Sequence, residues 1–310
     1  MSKIQYVGMT VSNMEQSIKF YSEILSFQKI KDIEVAGTDW EKLQGVFGLR
    51  MRIVQMQLGT EIISLMEYLT PQGRPIPPDS RSNDRWFQHI AIVVSNMEQA
   101  YQRLRQHNVR HTSTAPQQLP EWNQKLGGVQ AFYFKDPDGH NLELIKFPAD
   151  KADDKWLQDT DELFLGIDHS AVGAKDATAS FALYQKCLGL ELMLQAENYG
   201  EEFEHLTCVF GSRVQVNSMK GDAGIGFELL EYIAPTDGRD MPVDSRACDL
   251  WHYQTIISVA NLATLEDELR SAPCQFISPG IVEMSNNELS FSKVLALRDM
   301  DGHVLHLIEE

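Results

Sequence analysis

The sequence predicts an α+β fold of four βαβββ modules paired into two open barrels, and three observations lead there. The first is a long repeat. Glu67, Tyr68, Pro71, Gly73, Arg74, Pro77, Asp79, Ser80, Arg81, Asp84 and Trp86 recur in order as Glu231, Tyr232, Pro235, Gly238, Arg239, Pro242, Asp244, Ser245, Arg246, Asp249 and Trp251. One residue inserted after Pro235 is the only gap, so the two halves are duplicates. The second is a short repeat: Val11-Ser12-Asn13-Met14-Glu15-Gln16 returns unchanged as Val94-Ser95-Asn96-Met97-Glu98-Gln99, which makes the first half itself double. The third is the order strand, helix, further strands, which comes round in every quarter.

In the first module, residues 4–11 alternate as a strand. Ser12 and Asn13 then cap a helix with Glu15 in its first turn. Ile18, Tyr21 and Leu25 fall at helical spacing, with Phe20 and Ile24 widening the face. After a loop, residues 48–56 and 61–68 read as strands. The second module has strands at 89–94, 129–134 and 140–147, the last two joined at Asp136-Pro137-Asp138-Gly139, a hairpin signal. The third has a strand at 163–172, a helix at 177–188 and strands near 206–219 and 227–232. The fourth has a strand at 255–259, a helix at 262–271, and a hairpin at Asp299-Met300-Asp301-Gly302 leading into 303–308. The long duplicated stretch, punctuated by Pro, Gly and Asp, reads as a hinge between units. Residues 148–162 are acidic and polar and read as a linker between an N-terminal domain, 1–147, and a C-terminal domain, 163–310.

Composition narrows the function. At 310 residues, 43% hydrophobic and 23% charged, the chain is long enough for two compact globular domains. No apolar run reaches the length of a membrane span and the start lacks a signal-peptide core, so a cytoplasmic location is expected. The four cysteines, Cys187, Cys208, Cys248 and Cys274, stand singly and read as reduced, mostly buried residues rather than a disulfide framework. A net charge of −17 argues against nucleic acid and anionic membrane as partners. A small-molecule substrate is the expected partner, with a homodimer allowed.

Four such modules cannot each bury a core alone, whereas pairing them into open barrels leaves one concave pocket per pair. Here the sequence resembles the vicinal oxygen chelate superfamily of glyoxalases, bleomycin-resistance proteins, epimerases and extradiol dioxygenases. The resemblance rests on the strand–helix openings (His169, Leu183-Tyr184, Leu188-Gly189-Leu190), on Phe227-Glu228-Leu229-Leu230-Glu231-Tyr232, and on the stretch from Asp136 through His140-Asn141-Leu142-Glu143-Leu144. It implies two open-barrel vicinal oxygen chelate domains, with ligands for a divalent metal ion on the first and last strands of each module.

Carried over residue by residue, the resemblance offers Tyr6 and Ser64 in the first module, His89 and Glu143 in the second, His169 and Glu228 in the third, and Gln254 and His306 in the fourth. If neighbouring modules pair, the ligands are His169, Glu228, Gln254 and His306. If the inner two pair, the set is His89, Glu143, His169 and Glu228, and the outer pair is left degraded. The connectors are similarly long and leave both open; the inner pairing is preferred. Two imidazoles and two carboxylates suit Zn, Ni, Co, Mn or Fe(II).

The implied chemistry is stabilisation of an enolate, of the isomerase or lyase kind, with Glu143 or Glu228 as the catalytic base. Fe(II)-dependent ring cleavage and non-catalytic binding of a small molecule, as in bleomycin resistance, are the alternatives. Among the remaining candidates, His140 and His303 follow hairpin turns and are expected to face solvent. His205 is weighed as a pocket residue and set below the others. Arg74, Arg81, Arg239 and Arg246 recur beside aspartates, which favours salt bridges fixing loops over anion anchors, and Trp86 and Trp251 read as packing residues.

Overall fold

The computed structural model describes residues 2–285 and 289–309. The first module runs β1 (Ser2–Val11), α1 (Met14–Lys19), β2 (Gln28–Ala36), α2 (Thr38–Gln44), β3 (Arg50–Leu58) and β4 (Glu61–Thr70). The second runs β5 (Gln88–Val94), α3 (Met97–Gln106), the short β6 (Arg110–His111) and β7 (Gln117–Gln118), then β8 (Gln130–Lys135) and β9 (Asn141–Lys146). The third comprises β10 (Phe164–Ala174), α4 (Ala177–Phe181), β11 (Glu191–Tyr199), α5 (Glu201–Thr207), β12 (Arg213–Lys220), the short β13 (Ala223–Gly224) and β14 (Gly226–Ala234). The fourth comprises β15 (Tyr253–Val259), α6 (Leu262–Leu269), the short β16 (Gln275–Phe276) and β17 (Val282–Glu283), then β18 (Lys293–Arg298) and β19 (Val304–Glu309).

The repeated cap explains the repeated helix. Asn13, Asn96, Asp176 and Asn261 each accept a hydrogen bond from the backbone N–H three residues on, satisfying a donor that the helix start leaves free. Two short helices were not read from the sequence. α2 lies where a loop is expected, and α5 takes residues 206 and 207, which read as the start of a strand. Each follows a glycine in a left-handed-side conformation, Gly37 at φ +103° and Gly200 at φ +99°, which other residues rarely adopt.

The strands form two sheets, ordered β16-β18-β19-β15-β1-β4-β3-β2 and β11-β12-β14-β10-β5-β9-β8-β6. The first and fourth modules therefore share one sheet, and the second and third share the other. Antiparallel ladders join the modules, β1 with β15 and β5 with β10, while the first and last strands inside each module run parallel. This corrects the expected division. Neither 1–147 nor 163–310 forms a barrel of its own, because each sheet takes one module from each half. Residues 148–162 connect β9 to β10 inside a single sheet. All seven residues of β5 are buried, and such a strand needs a neighbour on both edges; β10 supplies the second one.

The chain passes between sheets along the two long duplicated stretches, one leading from β4 to β5 and the other from β14 to β15. They lie against each other. Arg74 donates to Asp249 and Asp244 of the other crossover, and Arg239 donates to Asp84 and Asp79. The two guanidinium groups also sit 4.7 Å from the rings of Trp251 and Trp86. The largest apolar cluster, with Met14, Met97, Ala177 and Leu262 from four helices, joins all four modules. Two smaller clusters occupy the opposite strand faces, one around Met51, Met66 and Phe291, the other around Phe203, Val216 and Leu230.

Candidate metal centre

β5 and β10 run antiparallel through the middle of the second sheet, which sets Ala91 opposite His169 and His89 opposite Ala171. β9 adds Glu143 beside Ala91, and β14 adds Glu228 beside Ala171 and Gly226 beside His169. Side chains alternate between the faces of a strand, so His89, Glu143, His169 and Glu228 stand on one face in two staggered rows. Only Ala91, Ala171 and Gly226 lie between them, and these leave the space open.

The four side chains converge. His89 Nε2 is 3.1 Å from Glu143 Oε2, and His169 Nε2 is 3.6 Å from Glu143 and 3.4 Å from Glu228. One ligand atom each from His89, Glu143 and His169 lies within 4.8 Å of the other two. All three residues are buried. Yet neither ring nitrogen of His89, nor Nε2 of His169, has a hydrogen-bond partner. An unsatisfied buried polar atom costs about 1–3 kcal/mol, and a bound cation would give such ring nitrogens a partner. Two imidazoles and two carboxylates therefore fit a borderline divalent ion.

Asp168, which sequence reasoning missed, completes the arrangement. Its Oδ2 is 2.9 Å from His169 Nδ1, while Trp156 Nε1 donates to its other oxygen at 3.1 Å. Neighbours in a strand normally face opposite ways. Here the ladder to β5 shifts register between Ile167 and His169, and both Asp168 and His169 reach the cavity. A carboxylate in that place fixes the tautomer and tilt of a ligating ring.

Electrostatics follows from burial. Burial alone would lower the His169 pKa, but the carboxylates of Glu228, Asp168 and Glu143 outweigh it and push it up to about 10. Burial raises the Glu228 carboxyl above the usual range, with Glu143 adding to the effect and His169 opposing it. Asp168 goes down despite burial, because His169 and Trp156 bond to it. The buried Tyr133 phenol, also lining the cavity, is raised by desolvation and then by Glu143.

The cluster opens into a cavity of about 280 Å³. Leu119, Leu126, Phe203, Leu206 and Val216 wall it, two of them from α5, and Lys125, Lys151, Lys220 and Asp153 also line it.

The other sheet repeats the geometry without the chemistry. Gly8 pairs with Gln254 and Ser64, and Ile256 pairs with Tyr6 and His306. Tyr6, Ser64, Gln254 and His306 thus take the places of His169, Glu228, His89 and Glu143. No carboxylate is among them. Gln254 Oε1 is met by Gln44 Nε2 at 3.4 Å and faces His252 Nε2 at 3.2 Å. Burial, with His252 nearby, drops the His306 pKa to about 3. Trp40 and Leu43 of α2, with Met66 and Phe291, pack against this face.

Two histidines differ from expectation. His140 and His303 are buried rather than solvent-facing, because each hairpin presses against the other barrel. His140 holds Asp136 at 2.8 Å through Nδ1 and the Leu250 carbonyl at 2.6 Å through Nε2. His303 holds Gln88 and the Gly173 carbonyl, both at 2.7 Å. His205 lies on the exposed side of α5, bonded to Thr114. The arginines form the loop-fixing salt bridges expected of them. The cysteines are all free: Cys248 is buried, Cys187 and Cys274 half-buried, and Cys208 exposed.

Comparison with known proteins bears on the fold. The model of the Glyoxalase/Bleomycin resistance protein/Dioxygenase superfamily matches residues 3–144. Glyoxalase I from Zea mays superposes with a TM-score of 0.65 at 14% identity, covering 100% of this chain and 92% of that one. A candidate dioxygenase from Bacillus subtilis gives 0.59 at 14% identity, covering 99% and 84%. At such identity these two likenesses concern the fold alone. No protein of curated function matches the sequence. No helix among the described residues is long and apolar enough to cross a membrane.

Proposed function

We propose that this chain is a member of the Glyoxalase/Bleomycin resistance protein/Dioxygenase superfamily, whose model matches residues 3–144, and that it is a metal-dependent isomerase or lyase acting on a small oxygen-bearing substrate. The observation that carries this reading is the buried cluster of His89, Glu143 and His169, with Glu228 beside it, in which both ring nitrogens of His89 and Nε2 of His169 lack hydrogen-bond partners. His89, Glu143, His169 and Glu228 would hold a divalent ion, which polarises substrate oxygens and lowers the cost of enolate charge when a C–H proton beside a carbonyl is removed.

The chain's own residues supply the rest. Glu228 and Glu143 are the candidate bases; burial raises Glu228 toward the range where a carboxylate takes a proton readily at neutral pH. Asp168 holds the His169 ring by Nδ1. Leu119, Phe203 and Leu206 give the cavity beside the cluster an apolar wall.

Metal analysis of the purified protein, paired with solvent-deuterium exchange into the C–H beside the carbonyl of hydroxyacetone and larger α-hydroxyketones, tests the reading. We expect one ion per chain in the wild type, little in His169→Ala, and exchange at least about 100-fold slower in Glu228→Gln or Glu143→Gln. Stoichiometric metal with no exchange on any of these ketones would remove the enolate chemistry.

One observation favours a second reading. His89, His169 and Glu143 are two imidazoles and one carboxylate, the set that suits ferrous iron in oxygenases. Oxygen uptake by the ferrous protein with a catechol would select it over the first.

A further inference from the structure

We infer that the cavity takes an organic anion, a small molecule with an apolar body whose carboxylate sits between Lys125 and Lys151. This deepens the proposed function and rests on reading the cavity as the substrate site, although not on a metal being bound.

The two lysines come from separate segments and both line the cavity. Lys125 Nζ donates to the Gln195 carbonyl of β11 at 2.6 Å. Lys151 Nζ donates to the carbonyl of Gly127, two residues beyond Lys125. The loop carrying Lys125 is firmly shaped. Asn123 Oδ1 accepts from the backbone N–H groups of Lys125 and Leu126, and Asn123 Nδ2 donates to Asn198 of β11.

Charge accounting singles these two out among the three lysines lining the cavity. Lys220 is matched by Asp153 at 2.9 Å. Asp168 is committed to His169. Lys125 and Lys151 have no carboxylate partner among the described residues; each ammonium has three donors and spends one on a carbonyl. Two ammonium groups without a carboxylate partner on one cavity lining offer an anion its counter-charge. This matters more on a chain of net charge −17, whose overall field turns anions away and leaves only a local positive site to admit one.

The cavity is graded along its depth. His89, Glu143 and His169 are buried, Leu119, Leu126 and Phe203 form an apolar wall, and Lys125 is exposed where the cavity meets solvent. A ligand matching that gradient carries oxygens at one end, an apolar middle and a negative charge at the other. Lysine, a compact point charge, suits a single carboxylate and does not demand a planar two-pronged partner.

The test uses octanoate and its neutral analogue octanamide, titrated by calorimetry into the full-length protein at low salt, both metal-stripped and zinc-loaded. Octanoate should bind roughly tenfold more tightly than octanamide, the order expected of two solvent-touching ion pairs acting together, and salt should erode the difference. In the double variant Lys125→Gln/Lys151→Gln the preference should vanish while octanamide binds as in the wild type, which shows an intact cavity. Lys220→Gln should keep the preference. Equal affinities in the wild type overturn the inference, as does failure of both probes to bind. A preference surviving in the double variant also overturns it, because the anion would then be held by another group. Zinc failing to bind while the octanoate preference stands would sink the metal reading and leave this one supported.

Discussion

Arg239 grips Asp84 across the two crossovers with two prongs, Nη2 to Oδ2 at 2.7 Å and Nε to Oδ1 at 3.0 Å. Arg74 and Asp249 form the same pair with the roles of the halves exchanged. The aspartates are fully buried, whereas each arginine keeps more than a third of its side chain exposed. Burial raises the aspartate carboxyls, but the arginine bonds hold them below the usual range. Arg239→Gln should therefore destabilise mainly by stranding Asp84, at roughly 1–3 kcal/mol, with solvent on the arginine side limiting the loss. Urea unfolding at neutral pH measures it, and a variant as stable as wild type would contradict the pairing.

Gly73 and Gly238 sit where the crossovers touch backbone to backbone. A Cβ on Gly73 would lie 1.9 Å from the Cys248 carbonyl oxygen, and one on Gly238 would lie 1.8 Å from that of Asn83. No side-chain rotation relieves a clash with main chain. Alanine at either site should cost about 3 kcal/mol, the upper end for overpacking, while Gly48→Ala, with nothing within 4 Å, should cost only its φ strain. Thermal melts of the three variants would rank them.

Metal binding separates the two ways of pairing modules at the level of single side chains. His89→Ala should lose the ion, because His89 stands 3.1 Å from Glu143, while His306→Ala should retain it, because His306 belongs to the other sheet. Titrating both variants with zinc at one pH decides the matter, since imidazole ligands compete with protons. Full affinity in both would show that neither histidine holds the ion and would remove the metal from this cavity, leaving the ligand-binding reading.

His140 ties stability to pH. Burial opposes its charge, but Asp136 and the Leu250 carbonyl raise its pKa to about 9. A histidine raised on folding contributes fully below its unfolded pKa, about 6.5, and the contribution is lost as pH rises through 9. Asp136 is held below the usual carboxylate range, so its contribution is lost as pH falls toward acid. Between pH 6.5 and 9 the wild type should lose roughly 3 kcal/mol that His140→Gln does not lose, tracked by urea midpoints across the window. A wild type and variant with parallel profiles would contradict the charged pair.

The repeat made most of this architecture legible, because Asn13, Asn96 and Asn261 cap helices in the same way wherever they recur. The candidate site positions came from the resemblance rather than from the repeat. The resemblance places ligands on the first and last strands of each module, and His169 and Glu228 stand at those positions on β10 and β14. Asp168 was hidden by the alternation of side chains along a strand, since only a local register shift turns it toward its neighbour. The pairing of modules could not be read from connector length, because the connectors after the first and second modules are similarly long. His140 and His303 looked exposed because a hairpin turn is exposed in isolation, and only the opposing barrel buries them. α2 and α5 were missed because a seven-residue helix shows too few turns for its spacing to stand out from a loop.

The sharing of each sheet between halves means that the polypeptide is tied to itself along the β1–β15 and β5–β10 ladders, with a short β1–β13 pairing besides. Cut within residues 148–162, the chain would yield two fragments, each carrying two unfinished barrels with a buried strand edge left bare. Neither fragment is a unit that stands alone; each is the template on which the other completes itself. His89 and Glu143 would travel on one piece and His169 and Glu228 on the other, so a full set of metal ligands would exist only in the reassembled pair. Ion binding would then report association of the two fragments.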